Sequence, residues 1–137
     1  MKRAPLLTLL LLSVLTGCSC EKEPEIDSAF LESTAVGLQI KGTTLFSYDP
    51  LTCQLGYGYD TDQFRASNDN GTEFFTLTCD KLPVSKGQAV KGDLVFTRGN
   101  GTGKESGLKL TVEKVQGDLI WLWNSSKQIA VCVQVLR

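Results

Sequence analysis

Five cysteines and a complete absence of histidine set the chemical repertoire of this 137-residue chain. Without an imidazole there is no Ser-His-Asp or Cys-His nucleophile pair, and no zinc site that needs histidine. A catalyst made from these residues would have to work through a cysteine or paired carboxylates, and no nucleophile stands beside a base in the sequence. The cysteines are Cys18, Cys20, Cys53, Cys79 and Cys132, at spacings that form no metal-binding pair. In an oxidising compartment one bridge among Cys53, Cys79 and Cys132 is one solution. A reduced, buried set is the other, because an unpaired cysteine packs as a small apolar residue. No cofactor motif is present.

Three other groupings invite a chemical reading. The run Arg98 to Ser106 is rich in glycine and contains Lys104, as a phosphate cradle would. A Walker loop, however, needs glycine where Arg98 stands, Ser or Thr where Glu105 stands, and a helix afterwards. With β-type patterning on both sides, the stretch through Gly107 reads as a flexible hairpin loop. Asp60, Asp62 and Asp69 offer oxygens to calcium, but their spacing is not that of an EF-hand, and each sits where a turn is expected anyway. Trp121 and Trp123 share one face of a strand, as do Tyr57 and Tyr59. Exposed, such rings could stack on sugars. The expectation is that they fill the core or rim of a small barrel, since aromatic side chains bury the most area.

The N-terminus carries the most specific pattern. Lys2 and Arg3 precede an apolar run from Pro5 to Leu15, too short for a bilayer-spanning helix of about 20 residues. Charge, short apolar core and small residues describe an export signal. Leu15-Thr16-Gly17-Cys18 at the cleavage point resembles the lipobox of bacterial lipoproteins. That resemblance implies cleavage after Gly17, a diacylglyceryl group on Cys18, and a stable hold on the membrane from two or more acyl chains. Ser19 is similar to the residue following the lipidated Cys in lipoproteins sent to the outer membrane. The acidic stretch that follows resembles a surface-export signal, and it serves equally well as a solvated spacer. Asp27-Ser28-Ala29 resembles the short motif that some of these bacteria O-glycosylate on serine, which makes Ser28 a candidate modification site.

Composition narrows the partners. The chain holds 14 Lys+Arg and 15 Asp+Glu. Two bases leave with residues 1–17, and the tail from Glu21 to Asp27 holds four acids and one base, leaving 11 of each sign for the rest. A neutral domain without a basic run lacks the footprint of a nucleic-acid binder. Residues 18–34 are acidic, contain proline and are poor in apolar side chains, so they read as a lipidated cysteine and flexible tether. At most, Ser28 to Thr34 forms one helical turn.

Residues 35–137 must position whatever chemistry exists, and they read as one β domain. Val36, Leu38 and Ile40 alternate, as do Cys53 to Tyr59, then Phe75, Leu77 and Cys79, then Leu108 to Val112, and Ile129 to Val135. Asn70-Gly71, Gln116 to Asp118 and Asn124 to Lys127 supply turns. Leu119 to Trp123 is apolar at every position, as expected of a strand covered on both sides. The class is all-β, a small antiparallel sandwich or barrel of about seven to nine short strands.

Ser106-Gly107-Leu108, then an aromatic strand from Trp121 to Trp123, with Cys53 and Cys132 near the two ends, is similar in order to small outer-membrane lipoproteins that inhibit lysozyme. The resemblance implies a barrel, a disulfide joining a strand near the start to the end, and Ser106 and Gly107 reaching the catalytic carboxylates of lysozyme. The chain departs from that pattern in its extra Cys79 and in Lys109 and Leu110, where a tyrosine would follow Ser-Gly. Together these features give a lipid-anchored envelope protein with a non-catalytic domain presenting a surface to another envelope protein or a glycan. Lysozyme inhibition and carbohydrate binding are its specific alternatives, with Ser106, Gly107, Trp121 and Trp123 as the candidate ligand-facing set.

Overall fold

The computed structural model describes residues 24–49, 54–58 and 63–135, with the 54–58 stretch given as backbone. Residues 1–17, where the export signal is expected, and Cys18, Cys20, Cys53, Tyr59, Asp60 and Asp62 lie outside the described residues, as does the side chain of Tyr57. One short helix, α1 (Ser28–Glu32), precedes nine strands among the described residues. These are β1 (Val36–Ile40), β2 (Thr43–Tyr48), β3 (Gln54–Gly58), β4 (Gln63–Ser67), β5 (Phe74–Cys79), β6 (Ala89–Arg98), β7 (Gly101–Gln116), β8 (Leu119–Asn124) and β9 (Ile129–Gln134). All nine form one antiparallel sheet in the order β2-β1-β9-β8-β7-β6-β5-β4-β3.

That order is a meander from β3 to β9, with the β1–β2 hairpin added at β9. The sheet curls into a nearly closed barrel and leaves its two ends, β2 and β3, unpaired with each other. Parity explains the seam. Every neighbouring pair is antiparallel, so with nine strands the two edges point the same way. Parallel neighbours need a crossover of a dozen or more residues. Here only residues 49–53 separate β2 from β3, so the fold closes through side chains instead. Phe46 of β2 lies with its ring centroid 5.5 Å from Phe75 on β5 and 6.3 Å from Phe96 on β6.

Period-two patterning puts one side of each strand into a single core. Leu38, Phe64, Phe75, Leu77, Leu94, Leu110, Leu122 and Val131 are buried there. Cys79 joins this interior, as the alternation of Phe75, Leu77 and Cys79 predicts. The turns fall where polar and glycine residues stand. Lys41 and Gly42 both adopt positive φ (51° and 81°), the pairing required of a two-residue hairpin turn. In the turn between β4 and β5 only Gly71 does so, and the turn is held by Gly71 N donating to Asn68 O (3.1 Å).

The glycine-rich stretch is corrected outright. It is no long loop: Gly99 and Asn100 make a tight turn, and Gly101 onward is already strand, paired with β6. Glycine counts as a breaker in a one-dimensional reading, but here the ladder to β6 satisfies the backbone. Gly103 lies opposite Phe96, whose ring occupies the space a Cβ would need.

Because Phe46 links the open edge to β5 and β6, Phe46→Ala should lower stability by about 3–5 kcal/mol. Urea unfolding is expected to show a lower midpoint with an unchanged m-value.

Candidate binding cleft

Strand β8, like its neighbours β9 and β1 in the sheet, is buried on both faces. Ile120 and Leu122 point into the barrel, while Trp121 lies on the outside, yet is 0% exposed. Its cover comes from the N-terminal segment. On the outer face Trp121 lies beside Cys132 and then Gly37, while Trp123 lies beside Ala130 and then Gln39. The small residues Gly37, Ala130 and Cys132 leave a shallow seat, and Phe30 of α1 fills it together with Trp121, Ala130 and Cys132. Burying a phenyl group contributes about 1.5–3 kcal/mol.

A five-residue helix is not stable alone, because nucleation is unfavourable. Polar contacts hold this one down. Asp27 caps it, accepting from Ala29 N at 3.1 Å, and its other carboxylate oxygen accepts from Gln39 Nε2 at 3.2 Å. At the C-terminal end, carbonyls without helical partners are satisfied from the sheet. Trp121 Nε1 donates to Phe30 O at 3.0 Å, and Lys114 Nζ donates to Leu31 O at 2.7 Å. The same ammonium stands 4.8 Å from the centre of the Trp121 ring. A cation at a helix C-terminus and over an indole is favourable on both counts.

The tether expected over residues 18–34 therefore stops short of residue 34. From Ile26 to Leu31 the chain is packed on the barrel. Its partners Trp121 and Lys114 lie more than 80 residues away, so local composition could not reveal them.

Where the packed segment passes Trp123 it does not close completely. A cleft of about 730 Å³ opens there, with Glu25 to Leu31 on one side and β7, β8 and the turn after them on the other. Trp123 is half-buried at its base, and its cross-strand neighbour Thr111 is exposed. Glu113, beside a register shift between Val112 and Lys114, projects into it with Ser28 and Ser125. Two carboxylates, three hydroxyls and an indole face the space, and among the described residues no Lys or Arg lines it.

The structure treats the expected site residues unequally. Trp121 and Trp123 do share a face, but Trp121 is core and only Trp123 reaches the cleft. Ser28 is exposed on the cleft wall. Ser106 and Gly107 are exposed at a bulge opposite Asp93, whose carboxylate accepts from Gly107 N at 2.8 Å. Thr111 is four positions from Gly107, about 13 Å along a strand, so this pair is not brought to Trp123. Glu113 and Thr111 escaped the sequence reading, because on a strand they look like ordinary solvent-facing positions.

The cysteines resolve in part. Cys79 is inside the barrel and Cys132 outside it, so no bridge joins them, and Cys132 is a free thiol. The Cys53–Cys132 disulfide that the lysozyme-inhibitor resemblance implies is therefore not formed. Burial under Phe30 and Trp121 pushes the Cys132 thiol up to about 12, against a smaller opposing pull from Lys114. Among the described residues no group of His, Cys, Asp or Glu could hold a metal ion, and no helix is long and apolar enough to cross a membrane. No family model, curated protein or solved structure matches this chain.

Two outcomes follow for Cys132. Its folded-state thiol titrates above the unfolded one, so its stabilising contribution is complete below the unfolded pKa and declines as pH rises towards about 12. Wild type should thus lose stability relative to Cys132→Ala as pH rises from about 9 towards about 12. A thiol reagent at neutral pH should leave native Cys132 unmodified, whereas Phe30→Ala should expose it, as peptide mass mapping would show.

Proposed function

We propose that this protein is a lipid-anchored component of the bacterial cell envelope whose β domain binds a partner and performs no chemistry. The anchor is the lipid on Cys18, and Ser19 favours delivery to the outer membrane. The observation that carries the binding assignment is the cleft beside Trp123. One wall of it is made by the segment that continues to the anchor. A preformed concave site with one aromatic surface and a few polar groups is what small-ligand recognition uses.

The non-catalytic reading is supported by the state of the thiols. Cys79 and Cys132 are both buried, and the raised Cys132 thiol is the opposite of an activated nucleophile. The cleft presents carboxylates and hydroxyls, a set suited to hydrogen bonding. Pro24 is six positions along the chain from Cys18, a reach of no more than about 22 Å. With the lipid in place, the cleft stands close to the membrane surface and meets ligands of that layer.

Anchoring is tested by Cys18→Ala in the native host. The variant should leave the membrane fraction for the soluble fraction while the wild type stays with membranes in high salt. A variant that remains membrane-bound would remove the lipid anchor from this account.

A further inference from the structure

We infer that the cleft beside Trp123 is a saccharide site, selective for neutral or amino-bearing sugars over anionic ones. This rests on the binding reading above and gives it a ligand class. The indole of Trp123 supplies a flat apolar surface at the base of an open cleft of about 730 Å³, a size within the range of small-ligand sites. A sugar ring has one face of C–H groups and a rim of hydroxyls. It needs an aromatic surface and, around it, groups that both donate and accept hydrogen bonds. Thr111, Ser28 and Ser125 provide hydroxyls, which do both, and Glu113 provides an acceptor.

Trp123 is also held in position. Its strand neighbour Trp121 is immobilised by Phe30 and by the bond to the Phe30 carbonyl, and Trp123 packs against that same cluster. A rigid aromatic loses little freedom on binding. The sign of charge then sets selectivity. Glu113 faces the cleft and, among the described residues, no cation lines it, so a phosphate, sulfate or uronate would meet the repulsion of that carboxylate. The ammonium of Lys114, the residue after Glu113, is engaged with Leu31 O and the Trp121 ring.

The two tryptophans provide the readout. Trp121 is sealed, so a ligand-induced change in indole fluorescence reports on Trp123. The purified full-length protein in a zwitterionic detergent would be titrated with chitotetraose, cellotetraose and tetragalacturonate. At about 10 mM even a millimolar site is filled. The expected result is a saturable change with at least one of the first two sugars and a weaker or absent response to the uronate. Trp123→Ala should weaken binding by about tenfold or more, read by calorimetry. Thr111→Arg, at an exposed position, should block the cleft without disturbing the core. It guards against a Trp123 variant that fails to fold.

No saturable response to any of the three sugars would overturn the inference, and the anchored-binder reading would survive it. Uronate binding as tight as that of the neutral sugars would overturn the charge selectivity. Binding unaffected by Thr111→Arg would overturn the location. Chromatography of the saccharide after incubation separates the two readings: cleaved sugar would keep the site and remove the non-catalytic assignment.

Discussion

A tryptophan buried on the outside of a barrel requires something to cover it. Trp121 projects away from the core that Ile120 and Leu122 enter, yet it is sealed from solvent. Its indole N–H, once desolvated, must also find an acceptor, because an unmet buried donor costs about 1–3 kcal/mol. Phe30 answers both needs with its ring and its carbonyl. The small residues Gly37, Ala130 and Cys132 across the neighbouring strands make room for this cover. The course of the N-terminal segment, the burial of Cys132 and the shape of the cleft all follow from it.

The cover also links the two halves of the functional reading. The segment that seats Phe30 is the one that leads to Cys18, so under the proposed lipid anchor the tethering segment is also one wall of the candidate site. Asp27 capping the helix while accepting from Gln39, and Lys114 closing its other end, use the sheet to satisfy groups that a five-residue helix leaves open. The docked segment thus depends on the barrel for its structure. The barrel in turn depends on the segment to keep an indole and a thiol dry.

Two expectations of the one-dimensional reading gave way to long-range contacts. Glycines from Gly101 to Gly107 look like a loop in isolation, but β6 lends them a ladder and Phe96 fills the space over Gly103. The acidic segment before residue 34 looks unable to order itself, and alone it would be. The disulfide suggested by the lysozyme-inhibitor resemblance has no counterpart at Cys132, which faces the outer cluster as a thiol.

Alternation of apolar residues made the all-β class, the inward faces of β5 and β7 and the double burial of β8 readable in advance, because each depends on neighbours a few residues apart. The polar and glycine turns were readable for the same reason. Absence of histidine bounded the chemistry before any coordinate was considered. What only the tertiary structure decided is which partners meet. Phe30 and Trp121 are joined across 91 positions, and Leu31 and Lys114 across 83. Strand parity leaves the seam between β2 and β3, and the register of β7 with β8 sets Thr111 beside Trp123. A cleft is the space left between such distant pieces, so no local pattern in the chain could have announced it.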